Sequence, residues 1–158
     1  MHKILISVFL SLLLLHCGAG AGELKGSKWL CNGSADEEER AGLKFPSPKE
    51  AQDPAGTNTS GYVEVYHKDG GFEALDPVTG ENLLEEGVKG SFELSREGSE
   101  TKLLFTFRQA DENGEEIVEK EPYKVLELTA EKYHSLAEAV PGVPELFESK
   151  CIRLGDAD

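Results

Sequence analysis

An antiparallel, up-and-down all-β barrel of about eight strands, with a long loop after the first strand, is the fold the 158-residue sequence predicts. Two observations carry this. From Tyr62 to Leu154 short segments alternate apolar with polar residues and are separated by turn dipeptides, the pattern of hairpin-linked strands. Cys31 falls in an earlier strand-like stretch, Lys28–Cys31, which makes the first strand, and Cys151 falls in the last. A disulfide needs Cα atoms within about 7 Å, and in a meander the first and last strands come that close only when the sheet closes on itself. Closure also removes exposed strand edges.

The chain opens on a short basic start, Met1-His2-Lys3, followed by Ile4 to Leu15, apolar except for Ser7 and Ser11. About twelve residues are too few to cross a bilayer of ~30 Å as a helix, but they suit the core of a signal peptide. No second apolar run follows. The signal ends in one of two ways. Ala19-Gly20-Ala21 is a small-x-small site, which makes residues 1–21 the signal peptide. Leu14-Leu15-His16-Cys17 resembles a bacterial lipobox, which would end the signal at residue 16 and acylate Cys17, anchoring the protein to a membrane. In either case Cys31 and Cys151 remain. In an exported chain two leftover cysteines are expected to pair. They form no CxxC and neither sits beside a His, so zinc is not expected. Closing so long a loop stabilises a fold by about 4–5 kcal/mol in the chain-entropy model.

Residues 22–158 are expected to form the single barrel domain. Lys28-Trp29-Leu30-Cys31 reads as the first strand. Residues 32–61 show almost no apolar periodicity and hold Asp36-Glu37-Glu38-Glu39, Pro46, Pro48, Pro54 and Gly56-Thr57-Asn58-Thr59-Ser60-Gly61. This composition predicts a mobile loop or a lid. Tyr62 to His67 is a strand, and Asp69-Gly70 signals a tight hairpin with both turn residues at φ > 0. Gly71 to Leu75 returns, and Asp76-Pro77-Val78-Thr79-Gly80 is turn chemistry. Val88, Gly90, Phe92 and Leu94 share one face of the next strand. Glu97-Gly98 turns the chain, after which Leu103, Phe105 and Phe107 face one way. Asn113-Gly114 turns it again. Ile117 to Leu128 is a long strand containing Pro122, which is expected at an edge, bulge or bend because it lacks an N–H. Thr129 to Val140 reads either as a capped helix, favoured by local propensity, or as a turn and a strand from Lys132 to Ala139. Phe147 to Leu154 is the last strand.

Leu24-Lys25-Gly26-Ser27-Lys28-Trp29, the Tyr62–Phe72 hairpin, Gly90-Ser91-Phe92-Glu93-Leu94 and Tyr123-Lys124-Val125-Leu126-Glu127-Leu128-Thr129 resemble, in order and spacing, the bacterial lipocalin-like domains. These are exported small β-barrels, often lipoproteins. The likeness spans most of Leu24 to Leu154, with Gly26-x-x-Trp29 in place of the usual Gly-x-Trp. It implies a strand at Lys132–Ala139 and a basic residue of the last strand, here Arg153, lying over Trp29.

Thirty Asp and Glu against sixteen Lys and Arg give a formal charge of −14. Such a surface repels nucleic-acid phosphates, so a DNA or RNA partner is not expected. No pattern points to catalysis: there is no nucleophile elbow and no phosphate loop, and His67 and His134 are the histidines outside the signal region. Asp36 to Glu39 and Asp111 to Glu116 read as solvated surface, not as metal loops. No cofactor is implied. An eight-stranded barrel is either filled by its side chains or holds one small ligand. Phe92, Leu94, Leu103, Phe105, Phe107, Tyr123 and Val125 are the interior candidates for lining such a site. The expected function is binding of a small apolar or amphipathic ligand by an exported or envelope-anchored, non-enzymatic barrel. The alternative is a protein-interaction module with a filled barrel.

Overall fold

The computed structural model describes residues 23–53, 61–139 and 146–157. Its eight strands join in sequence order into a closed antiparallel barrel, a lipocalin-like architecture. They are β1 (Ser27–Ser34), β2 (Tyr62–Tyr66), β3 (Gly71–Leu75), β4 (Lys89–Glu97), β5 (Glu100–Ala110), β6 (Glu116–Leu128), β7 (Lys132–Ala137) and β8 (Glu148–Asp156). The signal segment 1–21 with Cys17, and residues 54–60 of the long loop, lie outside the described residues.

Closure is made by β1 against β8, from Ser27 opposite Asp156 to Ser34 opposite Glu148. Cys31 stands directly opposite Cys151, with Cα atoms 4.0 Å apart and the sulfurs bonded. Because side chains alternate between faces, this pair sets the parity of the whole barrel. Residues in register with the inward Trp29 and Cys31 also point inward: Tyr62, Glu64 and Tyr66 on β2, then Phe72 and Ala74 on β3.

The end of the barrel at which β1 begins is closed. Leu24, Trp29, Tyr66 and Tyr133 are fully buried there. Ser27 Oγ donates to the Leu24 carbonyl and accepts from Trp29 Nε1 at 2.6 Å. Gly26 N donates to Tyr66 O at 2.7 Å, and Ala157 N donates to Gly26 O at 2.9 Å, which ties the residue before β1 to the residue after β8. Arg153 pairs with Trp29 in register, but its guanidinium goes to Asp156 Oδ1 at 2.7 Å. Among the described residues a cation–π contact is formed by Lys132 over Phe45, 5.2 Å from the ring centroid.

Several sequence expectations are refined. The Asp69-Gly70 hairpin is not a two-residue turn. His67 N donates to Gly71 O at 2.9 Å, so the loop is Lys68-Asp69-Gly70, and only Gly70 has positive φ. Asp69 instead accepts from Gly71 N through Oδ1 at 2.8 Å, which leaves one left-handed position for a glycine. Glu112-Asn113-Gly114 repeats this design. Thr129 caps a turn and not a helix, accepting at Oγ1 from Lys132 N at 2.9 Å; Tyr133 and Ser135 then alternate inward as β7. Tertiary pairing here overrides local helix propensity. Pro122 stands opposite Leu104 of β5 and accepts from Glu138 N at 2.8 Å at the very end of the β6–β7 ladder, where the lack of an N–H costs least.

Among the described residues of the long loop, none of 35–53 borders the opening. β1 runs on to Ser34, and the described part of the long loop forms α1 (Glu37–Gly42) and α2 (Pro48–Gln52). It lies along the outer wall over β7 and β8. Asn32 Nδ2 donates to Lys44 O at 3.0 Å, Lys150 Nζ donates to Leu43 O at 2.9 Å, and Phe45 meets His134 edge-on at 6.2 Å. The acidic run is used locally: Asp36 caps α1 by accepting from Glu39 N at 3.0 Å, and Glu37 to Glu39 fill its first turn.

If the seam bond carries stability, Cys31→Ser and Cys151→Ser should each cost about 4–5 kcal/mol, and the double variant no more than either single one. Urea unfolding of the four proteins tests this; additive losses would show that the two residues do not share a bond.

Candidate functional site

The interior is packed at its closed end and open at the other. Phe92, Leu94, Leu103 and Val125 fill the lower half around Tyr66, whose ring meets Phe92 edge-on at 4.8 Å. Above them a chamber of about 260 Å³ is walled by Phe72, Ala74, Phe105, Phe107, Tyr123 and Tyr133, with Glu64 on its floor. Of the seven interior candidates, Phe105, Phe107 and Tyr123 therefore line the chamber, and the other four pack below it. Phe105 is the hub of the wall, 4.5 Å from Phe72 and edge-on to Tyr123 at 5.3 Å, ring to ring.

Two loops shape the opening. Leu84, in the loop after β3, reaches the chamber, held by Leu83 N donating to Ala74 O at 2.6 Å and Leu84 N to Asn82 Oδ1 at 3.0 Å. Phe147 enters from the β7–β8 side because Gly33 has no side chain: a Cβ there would stand 2.4 Å from the Phe147 ring. Beyond Leu84, Phe107 and Glu121 the chamber continues into a mouth of about 360 Å³ bordered by Leu83, Glu85, Val88, Ile117 and Glu119. Leu83 and Ile117 are exposed, which makes the rim apolar as well as acidic.

Glu64 is the residue that sequence reading missed. It is only 4% exposed. Tyr66 donates its hydroxyl to Glu64 Oε2 at 2.7 Å and lies 3.4 Å from the Tyr133 hydroxyl. Tyr133 donates to Ser135 Oγ at 2.9 Å, and Ser135 Oγ and Ser149 Oγ are 2.9 Å apart. The Tyr62 hydroxyl faces both Ser149 and Glu64 and closes a ring of hydroxyls around the carboxyl. Burial pushes the Glu64 pKa up from 4.5 to about 7, against the opposing hydrogen bonds from Tyr66 and Tyr62. The same burial raises the Tyr62, Tyr66 and Tyr133 hydroxyls well above their usual range. Glu121, nearer the mouth, is also raised by burial, with Tyr123 as its hydrogen-bond partner.

The two cysteine sulfurs and a Glu64 carboxylate oxygen lie within 4.8 Å of one another. The sulfurs are bonded to each other, whereas metal binding uses thiolates, so this is a packing contact between the staple and the chamber floor. Both histidines of the strand region stand outside. His67 Nε2 meets Glu73 Oε2 at 2.7 Å and His134 Nε2 meets Glu148 Oε1 at 2.8 Å, on the outward register of the wall. Asp111 Oδ1 accepts from Asn113 N and Glu115 N at 2.8 Å, holding its hairpin.

Comparison with protein-family models, curated proteins and solved structures found no match to the chain.

The Glu64 pKa rises on folding, so its contribution is fully present below pH 4.5 and is lost as the pH climbs to about 7. The shift corresponds to about 3 kcal/mol. Glu64→Gln keeps a neutral acceptor for the tyrosines and removes this dependence. Its stability relative to wild type should therefore grow across that window by about this amount in urea unfolding. A difference that does not change with pH would show that Glu64 is not desolvated.

Proposed function

We propose that this protein is an exported, lipocalin-like barrel that binds one small amphipathic molecule in its upper chamber. The observation that carries the reading is the chamber itself: mostly aromatic walls, a few polar groups led by Glu64 on the floor, and one open end, the composition of a small-molecule site. A barrel working only as a scaffold for protein contacts would be packed through both halves. Here Phe105 and Phe107 stand on the wall and leave the space between them and Glu64 free. The apolar run Ile4–Leu15 and the Cys31–Cys151 bond support an oxidising, exported location. The described residues contain no helix long and apolar enough to cross a membrane. Acylation of Cys17 would hold the barrel at the envelope surface.

A neutral, environment-sensitive probe such as N-phenyl-1-naphthylamine tests the reading. The wild type should bind it saturably with a blue-shifted emission. Ala74→Phe, which puts a ring into the chamber from β3, should weaken binding at least tenfold while circular dichroism stays unchanged. Absence of saturable binding, or equal binding by the variant, would contradict a chamber site.

A further inference from the structure

We propose that the chamber selects a ligand with a cationic ammonium head and an apolar body, the head seated against Glu64. This rests on the chamber being a binding site and assigns its ligand class. The side chains bordering the chamber and its mouth include four carboxylates, Glu64, Glu121, Glu119 and Glu85, and no Lys, Arg or His. Among the described residues none of the four is in an ion pair; the acidic partners of the salt bridges are Glu73, Glu97, Glu100, Glu148 and Asp156, all elsewhere. The inward placement is a matter of register. On β6 Glu119 lies opposite Phe107 and Glu121 opposite Phe105, so both share the face of the interior aromatics. The nearby basic residues Lys89 and Arg108 are paired with each other one position off that face and point outward.

Depth adds the second half of the inference. Glu64 is a buried carboxyl aimed into an apolar space, and its partners are hydroxyls, which orient it without neutralising it. In its ionised form Glu64 repels an anionic head group and leaves a neutral ligand facing an uncompensated charge, whereas a cation seated there favours and neutralises that form. The walls suit the same chemistry. Phe72, Phe105, Tyr123 and Tyr133 surround the floor with ring faces and edges, and aromatic faces with a nearby carboxylate are what hold an ammonium group away from water. Glu119, Glu121 and Glu85 at the mouth place the same sign of charge along the route inward, which raises the local concentration of cations. The apolar rim residues Leu83 and Ile117 meet the tail.

Isothermal titration calorimetry with octyltrimethylammonium, octanol and octanoate separates the possibilities. The wild type should bind the cation at least tenfold more tightly than octanol, and octanoate least. Glu64→Gln should remove most of the preference for the cation, by weakening cation binding while octanol is bound no more weakly than by the wild type. Glu121→Gln, nearer the surface, should reduce it by a smaller factor. If octanol binds as tightly as the cation, or octanoate more tightly, the charge selection is overturned and the chamber remains a binding site. If the preference survives both substitutions, the head is not held by these carboxylates and the inference fails. If none of the three probes binds while the naphthyl probe is also not taken up, the chamber reading itself fails with it.

Discussion

Everything inside this protein exists because β1 finds β8. A meander of β-strands leaves two free edges; here they meet over the full length of β1, and Cys31 and Cys151 are bonded across the join. The bond links residues 120 apart in sequence, so it removes a large share of the freedom of the unfolded chain. It also settles which residues face inward. Trp29 and Cys31 share a face, and every inward side chain follows from them by the alternation of successive ladders. The chamber floor, the aromatic wall and the outward histidines are consequences of that one parity.

Glu64 shows what the closed wall allows. A carboxyl at 4% exposure is costly in an apolar interior, and the barrel answers with hydroxyls in place of a positive charge. Tyr66 and Tyr133 do two jobs. Their rings pack the closed half of the barrel, edge-on at 6.3 Å, while their hydroxyls bring the network up to the floor of the open half. The dry lower core and the polar floor are therefore parts of one packing arrangement. A change in Tyr66 would be felt in both.

Much of this was legible in the sequence. The alternation in β4 and β5 identified Phe92, Leu94, Leu103, Phe105 and Phe107 as inward, and each packs in or against the core. The cysteine pair at the two ends of the strand series implied closure. What stayed hidden depended on pairing across strands. In β2 the valines 63 and 65 are as apolar as Tyr62 and Tyr66, so composition alone does not say which face is inside; only the register of Glu64 with Trp29 decides it. Glu119 and Glu121 look like surface until they are set opposite Phe107 and Phe105. Residues 32–61 read as a mobile loop or a lid because their charge and prolines carry no periodicity. Yet Phe45 sits against His134 and Lys132 on the outer wall, and Leu84 in a shorter loop takes the place at the mouth. Both are long-range contacts with no local signature.

The seam is open to direct observation. Two-dimensional NMR of the oxidised protein reads cross-strand nuclear Overhauser effects between β1 and β8. A closed barrel predicts a continuous series of such contacts, including Leu30 to Ile152, Cys31 to Cys151 and Asn32 to Lys150, with slow amide exchange along both strands. Two strands whose amides exchange as free edges, with no contacts between them, would contradict closure and remove the enclosed chamber together with the ligand chemistry assigned to it.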